Sequence, residues 1–147
     1  MDTIDTKILH ELERDGRVTN LQLASRVSLS PSACLRRVQA LEASGAIKGY
    51  RAILDRTQLG GGMTVFVMVG LSGQLQRDSL AFERAMAAAP EVLECHNVTG
   101  SVEYLLRVEV SDLPAYKHFH SNVLGTLSQV SSITSLVSLG SSKDLRA

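Results

Sequence analysis

Ser30-Pro31-Ser32-Ala33-Cys34-Leu35-Arg36-Arg37-Val38-Gln39-Ala40-Leu41-Glu42-Ala43-Ser44-Gly45 is the stretch on which the reading of this chain turns. It carries both ends of a helix. Ser30 is a side-chain cap, and Pro31 stands in the first helical position, where a missing N–H leaves nothing unpaired. Gly45 supplies the stop after Ser44. At 3.6 residues per turn, Cys34, Val38 and Leu41 form one apolar stripe. Ser32, Arg36 and Gln39 point the opposite way, and Arg37 lies on the flank.

Upstream, Thr19 and Gln22 have the spacing of a capping box, with Val18 and Leu23 at the positions of a hydrophobic staple. The apolar face of this second helix continues through Ala24 and Val27. Only Ser28 and Leu29 separate it from the cap Ser30, and so short a connection makes a helix-turn-helix pair. Before it, Ile4, Ile8, Leu9 and Leu12 share one face of a first helix that stops at Gly16. A polar outward face with an arginine, on the second helix of such a pair, suits a reader of the DNA major groove. The DNA candidates on this helix are Ser30, Ser32, Arg36, Arg37 and Gln39. Two readings stand for Arg37: a DNA contact, or a head paired with an acidic residue of the first helix. Residues 46–55 alternate like a strand, and Lys48 and Arg51 on this wing are placed to meet phosphates.

The chain has 147 residues, with 15 Lys plus Arg and 15 Asp plus Glu. The zero balance conceals a split, since residues 1–57 sum to +2 and the remainder to −2. Residues 26–51 hold Arg26, Arg36, Arg37, Lys48 and Arg51 against Glu42 alone. Charges act over roughly 10 Å, so a local basic stretch matters more to a polyanion than the total. A hydrophobic content of 44% excludes a disordered chain. No apolar run reaches the roughly 18 residues of a membrane helix. The start lacks the pattern of a signal peptide, and Cys34 and Cys95 are too few for a disulfide framework. A cytoplasmic protein with reduced thiols and no membrane partner is expected.

Gly60-Gly61-Gly62 marks a change of pattern, read as a linker over 56–62 between domains at 1–55 and 63–147. Met63 to Leu71 is a continuously apolar strand, and residues 75–89 have helical spacing up to Pro90. Glu91 to Val98 and Val102 to Val110 read as strands, the second alternating cleanly. Asp112 caps a helix with Pro114 in its first turn, and Val130 to Leu139 alternates again. The result is an α+β chain: a winged helix-turn-helix, then a ferredoxin-like βαββαβ domain with both helices on one face of the sheet. In the first strand Val65, Val67, Val69 and Leu71 face one way and Phe66 and Met68 the other. The face without helices needs a cover, and a second copy of the sheet predicts an obligate homodimer.

Residues 30–38 together with Leu41-Glu42-Ala43-Ser44-Gly45-Ala46-Ile47-Lys48-Gly49-Tyr50 resemble the Lrp/AsnC (feast/famine) transcription regulators. So do Asp5-Thr6-Lys7-Ile8-Leu9 and Val98-Thr99-Gly100-Ser101-Val102-Glu103-Tyr104-Leu105-Leu106. The resemblance spans essentially the whole chain. It implies a DNA-binding regulator whose dimers assemble further, often into octamers, and whose C-terminal (RAM/ACT-like) domains sense an amino acid or related metabolite in the clefts between them. The sensing motif of that family usually has Asp where this chain has Glu103. An amino-acid effector needs an acceptor carboxylate for its ammonium and N–H or hydroxyl donors for its carboxylate. The effector candidates are therefore Thr99, Gly100, Ser101, Val102 and Glu103, with Ser132 and Thr134 as donors from a partner subunit.

Catalysis has little to stand on. His10, His96, His118 and His120 are scattered, and neither cysteine has a zinc-spaced neighbour. Cys95 and His96 are adjacent on a strand and so point to opposite faces. No cofactor or metal is expected. The rival reading is a ligand-binding regulatory subunit of an enzyme, with the helical part as a protein-docking module and no DNA binding. RNA binding is disfavoured, because the sheet lacks exposed aromatics for stacking bases.

Overall fold

Capping chemistry decides where each helix of the first unit begins. The computed structural model describes residues 1–73 and 75–144. The chain divides into two compact units, Met1–Ile53 and a second beginning at Leu54. In the first, α1 (Thr3–Arg14) is capped by Asp2, whose carboxylate accepts the N–H groups of Ile4 and Asp5, both at 2.9 Å. Asp5 reciprocates by accepting the N–H of Asp2 at 3.0 Å. The Thr19–Gln22 capping box opens α2 (Asn20–Arg26), with both bonds at 3.2 Å. Ser30 accepts the N–H of Ala33 at 3.3 Å to start α3 (Pro31–Ala43), which ends on Ser44 and turns at Gly45.

Ile8, Leu23, Ala24, Val27, Cys34 and Leu41 form the buried core of this unit, with Val38, Leu29 and Ile47 packed against them. Burial raises the pKa of the Cys34 thiol by desolvation, which keeps it inert.

The strand expected over 46–55 does not form. No described segment pairs with it, and 48–55 is exposed. Its alternation has another cause. Ile47 packs on the helical core, and the Tyr50 ring lies beside Gly16 with its hydroxyl donating to Glu42 at 2.9 Å. The wing is thus an extended tail without a ladder.

Residues 56–62 pack with the second unit. Arg56–Leu59 makes a 3₁₀ turn capped by Asp55, and Arg56 pairs with Glu109 at 3.5 Å. Gly62 donates its N–H to the Val110 carbonyl at 3.0 Å, and a Cβ there would stand 2.8 Å from the Ser111 carbonyl oxygen. Close backbone approach, rather than hinge freedom, is what calls for glycine here.

The second unit runs β1 (Met63–Leu71), α4 (Gln76–Ala88), β2 (Val92–Asn97), β3 (Tyr104–Val110), α5 (Leu113–Asn122) and β4 (Val130–Val137). The sheet order is β2-β3-β1-β4, and every pairing is antiparallel. This is the expected βαββαβ arrangement. Val65, Val67, Val69, Tyr104, Leu106 and Val108 are buried against Phe82 and Met86 of α4 and Phe119 of α5. The opposite face carries half-buried Phe66, Met68 and Leu105, with Leu136 half exposed. Arg107 lies on that face, bonded to Asp144 at 2.7 Å and Glu109 at 3.4 Å. Asp144 first, then the nearby glutamates, push the Arg107 pKa up.

Leu106 is fully buried in the central layer. Leu106→Ala is expected to cost about 2–5 kcal/mol in urea unfolding, whereas Leu139→Ala at a fully exposed position stays within about 0.5 kcal/mol.

Candidate functional site

The orientation of α3 is set by the turn before it. Ser28 adopts φ +58°, and the N–H of Leu29 returns to the Ala24 carbonyl at 2.9 Å. Asn20 at the start of α2 donates through Nδ2 to the Pro31 carbonyl at 2.8 Å. Held this way, α3 turns Cys34 and Leu41 inward and leaves Ser32, Arg36 and Gln39 exposed on one side. Arg36 makes no ion pair with any described residue.

Arg37 behaves differently. Its guanidinium lies 2.7 Å from both Asp2 Oδ2 and Asp5 Oδ1. Of its two readings, the ion pair with the first helix is the one the structure forms. The reciprocal backbone bonds of the capping box, then Arg37, hold both carboxyls below the usual aspartate range. Ser30 is likewise committed, capping α3 through its hydroxyl 3.3 Å from that of Ser32. Lys48 and Arg51 lie exposed on the extended tail.

In the second unit, the Val98 N–H bonds the Glu103 carbonyl at 2.9 Å and closes residues 98–103 into a loop, so β3 begins at Tyr104 rather than Val102. Thr99, Gly100 and Ser101 are exposed at its tip, with Gly100 at φ +128°. Val102 and Glu103 are half-buried. The Glu103 carboxylate accepts the backbone N–H of Leu71 at 2.7 Å, standing in for a ladder carbonyl where β3 has ended. On the other side of β1, Ser132 is opposite Gly70 and Thr134 opposite Met68. A Cβ at Gly70 would collide with the Ser132 hydroxyl. The end of β1 therefore brings Glu103 and Ser132 of one chain to its two flanks. Gly70 and the Leu71 N–H were not among the sequence candidates; an isolated Gly late in an apolar strand was the available signal.

Beyond this end of the sheet, an open cleft of about 310 Å³ is lined by His120, Leu124, Gly125, Leu127, Val130 and Ser131 to Ile133. Cys95 is paired in register with Leu106 on the helix side, while His96 bonds Glu94 at 3.1 Å, so thiol and imidazole do not meet. Burial, then Glu83, raises the Cys95 pKa. Among the described residues no three His, Cys, Asp or Glu side chains gather as a metal site, and no helix is long and apolar enough to cross a membrane.

Residues 1–42 match the AsnC-type helix-turn-helix domain, and residues 64–147 match the Lrp/AsnC ligand binding domain. The chain belongs to the Lrp/AsnC family. It is 39% identical over 144 residues to the leucine-responsive regulatory protein of Rhizobium meliloti, covering 98% of this chain and 92% of that one. It is 43% identical over 141 residues to the Bkd operon transcriptional regulator of Pseudomonas aeruginosa, covering 96% and 92%. A transcriptional regulator of Neisseria meningitidis solved as a complex with L-Met superposes with a TM-score of 0.94 at 35% identity, over 98% of this chain and 93% of that one. An AsnC family regulator from Agrobacterium tumefaciens gives 0.93 at 32%, over 98% and 94%. This Lrp/AsnC protein is accordingly a transcriptional regulator with a DNA-binding helix-turn-helix and a ligand-binding domain. The enzyme-subunit reading is not favoured.

The Arg37 clamp has a pH signature. Asp2 and Asp5 titrate lower when folded than when unfolded, so their contribution is present above the unfolded carboxyl range and is lost as pH falls through the folded values. Arg37→Ala is expected to lower Tm at pH 7, with the gap to wild type closing below about pH 4 in a melting series.

Proposed function

We propose that α3 enters the major groove with Ser32, Arg36 and Gln39 at base edges, while Lys48 and Arg51 on the following tail meet phosphates. The carrying observation is Arg36: exposed, free of any ion pair with the described residues, and held outward by the turn at Ser28. Arg37 is assigned to the α1–α3 clamp and Ser30 to capping, so neither is kept as a base contact. A homodimer is formed through the apolar face of the sheet, where Phe66, Met68, Leu105 and Leu136 have no helix above them. It presents two copies of α3 to half-sites about one helical turn apart, or a multiple of that. The protein works in the cytoplasm, where its target duplex is found.

The ligand is a free amino acid. Support comes from the L-Met complex of the Neisseria relative and from the chemistry at the end of β1. One oxygen of Glu103 holds the Leu71 N–H, which leaves the other to accept an ammonium. Backbone N–H groups at Gly100 and Ser101, with the hydroxyls of Ser132 and Thr134, supply donors for the carboxylate. The ligand alters DNA binding to the extent that it prefers one assembly over another.

Arg36→Ala separates DNA reading from folding. Affinity for a specific duplex is expected to fall by about tenfold or more, the worth of one bidentate base contact, with an unchanged melting curve. Undiminished affinity would remove α3 from the groove. For the ligand, a thermal-shift screen of the twenty amino acids should raise Tm by a few degrees for at least one of them, and Glu103→Ala should abolish that shift.

A further inference from the structure

The outward face of α3 is not wholly polar. At 3.6 residues per turn Ser32, Leu35, Arg36 and Gln39 fall within an arc of about 100°, on the far side from Cys34 and Leu41. Leu35 is 46% exposed and lies outside the core formed by Ile8, Leu23 and their neighbours. A lone leucine on a surface needs no explanation. Leu35 is not alone in the relevant sense, because Ser32 precedes it by one turn, Gln39 follows it by one turn and Arg36 adjoins it. Whatever those three side chains touch, Leu35 faces as well.

The major groove offers one kind of apolar group, the C5-methyl of thymine. Its other base-edge features are hydrogen-bond donors and acceptors, to which a leucine contributes nothing except lost hydration. An exposed leucine set among Ser32, Arg36 and Gln39 on the reading face therefore has one complementary target there. We infer that Leu35 reads a thymine C5-methyl group at one position per recognition helix, which makes it a specificity-determining residue. This inference rests on α3 being the groove reader.

The test deletes methyl groups from the DNA rather than atoms from the protein. A duplex is selected from a random library with the full-length wild-type chain, and each thymine is then replaced singly by deoxyuridine, which keeps base pairing intact. Wild type should lose about fourfold in affinity at one thymine per half-site, the worth of one buried methyl-sized group. Leu35→Ala should bind the thymine and deoxyuridine duplexes equally, and Leu35→Met should retain the difference. Leu21→Ala removes another exposed leucine, 69% accessible on α2, and should leave the thymine dependence unchanged.

Equal wild-type affinity for every deoxyuridine duplex, with Arg36→Ala still impaired, would overturn the methyl contact while leaving α3 in the groove. A selection that enriches no sequence, together with an unimpaired Arg36→Ala, would remove both. A change in oligomeric mass on Leu35→Ala would make Leu35 a protein contact and would equally overturn the inference.

Discussion

Ser28 carries a left-handed backbone on a residue other than glycine, a conformation that costs about 1–2 kcal/mol. The Leu29 N–H bond to Ala24, the burial of Val27 and the Asn20–Pro31 bond hold the turn in place. With only two residues between α2 and the cap of α3, no slack exists to rotate the third helix. A rotation by one residue, about 100°, would carry Arg36 toward the core and bring a buried position such as Cys34 to the surface. The assignment of an inside and an outside to α3, and with it the outward placement of Ser32, Arg36 and Gln39, follows from this turn.

The charge pattern makes sense once the pairings are known. Acidic residues crowd the first fifteen positions, an awkward neighbour for a polyanion. Asp2 and Asp5 are held by Arg37, and Glu11 is held by Arg26 at 3.1 Å, with Asp15 at 4.0 Å. These pairs set four acidic side chains of residues 1–15 against arginines of α2 and α3. Arg36 and Lys48 are not part of that arrangement and face outward. One pair of aspartates thus caps α1, ties it to α3 and neutralises Arg37, which explains why two adjacent arginines have different roles.

Much of this was legible in the sequence, and the failures have specific causes. The Thr19–Gln22 box, the Ser30–Pro31 start and the alternation of β3 are local signals, and the structure follows them closely. The reciprocal cap of α1 was missed because its second member is Asp5 rather than the Glu or Gln that marks such boxes. Residues 46–55 were misread because Ile47 and Tyr50 dock back on the helices with a spacing that imitates strand alternation. No sequence pattern reports whether a ladder partner exists. The glycines at 60–62 signalled a break, but composition does not distinguish a hinge from the close backbone approach seen at Gly62. Leu35 carries no polar signal of a DNA contact, although the helical projection that turns Ser32 and Gln39 outward includes it.

Glu103 shows where side-chain chemistry read from sequence stops short. A carboxylate near a glycine loop suggested a partner for an ammonium. Its commitment to the Leu71 N–H depends on β3 ending two residues before the reach of β1, a matter of register between distant segments. That bond narrows how a ligand can engage it. Displacing the carboxylate would leave a half-buried strand N–H without an acceptor, at a cost of about 1–3 kcal/mol that binding would have to exceed. A ligand that approaches the second oxygen avoids this cost and meets a carboxylate whose rotamer is already fixed. For the ligand proposed above, shared coordination at the end of β1 would cost less than replacement of the Leu71 contact.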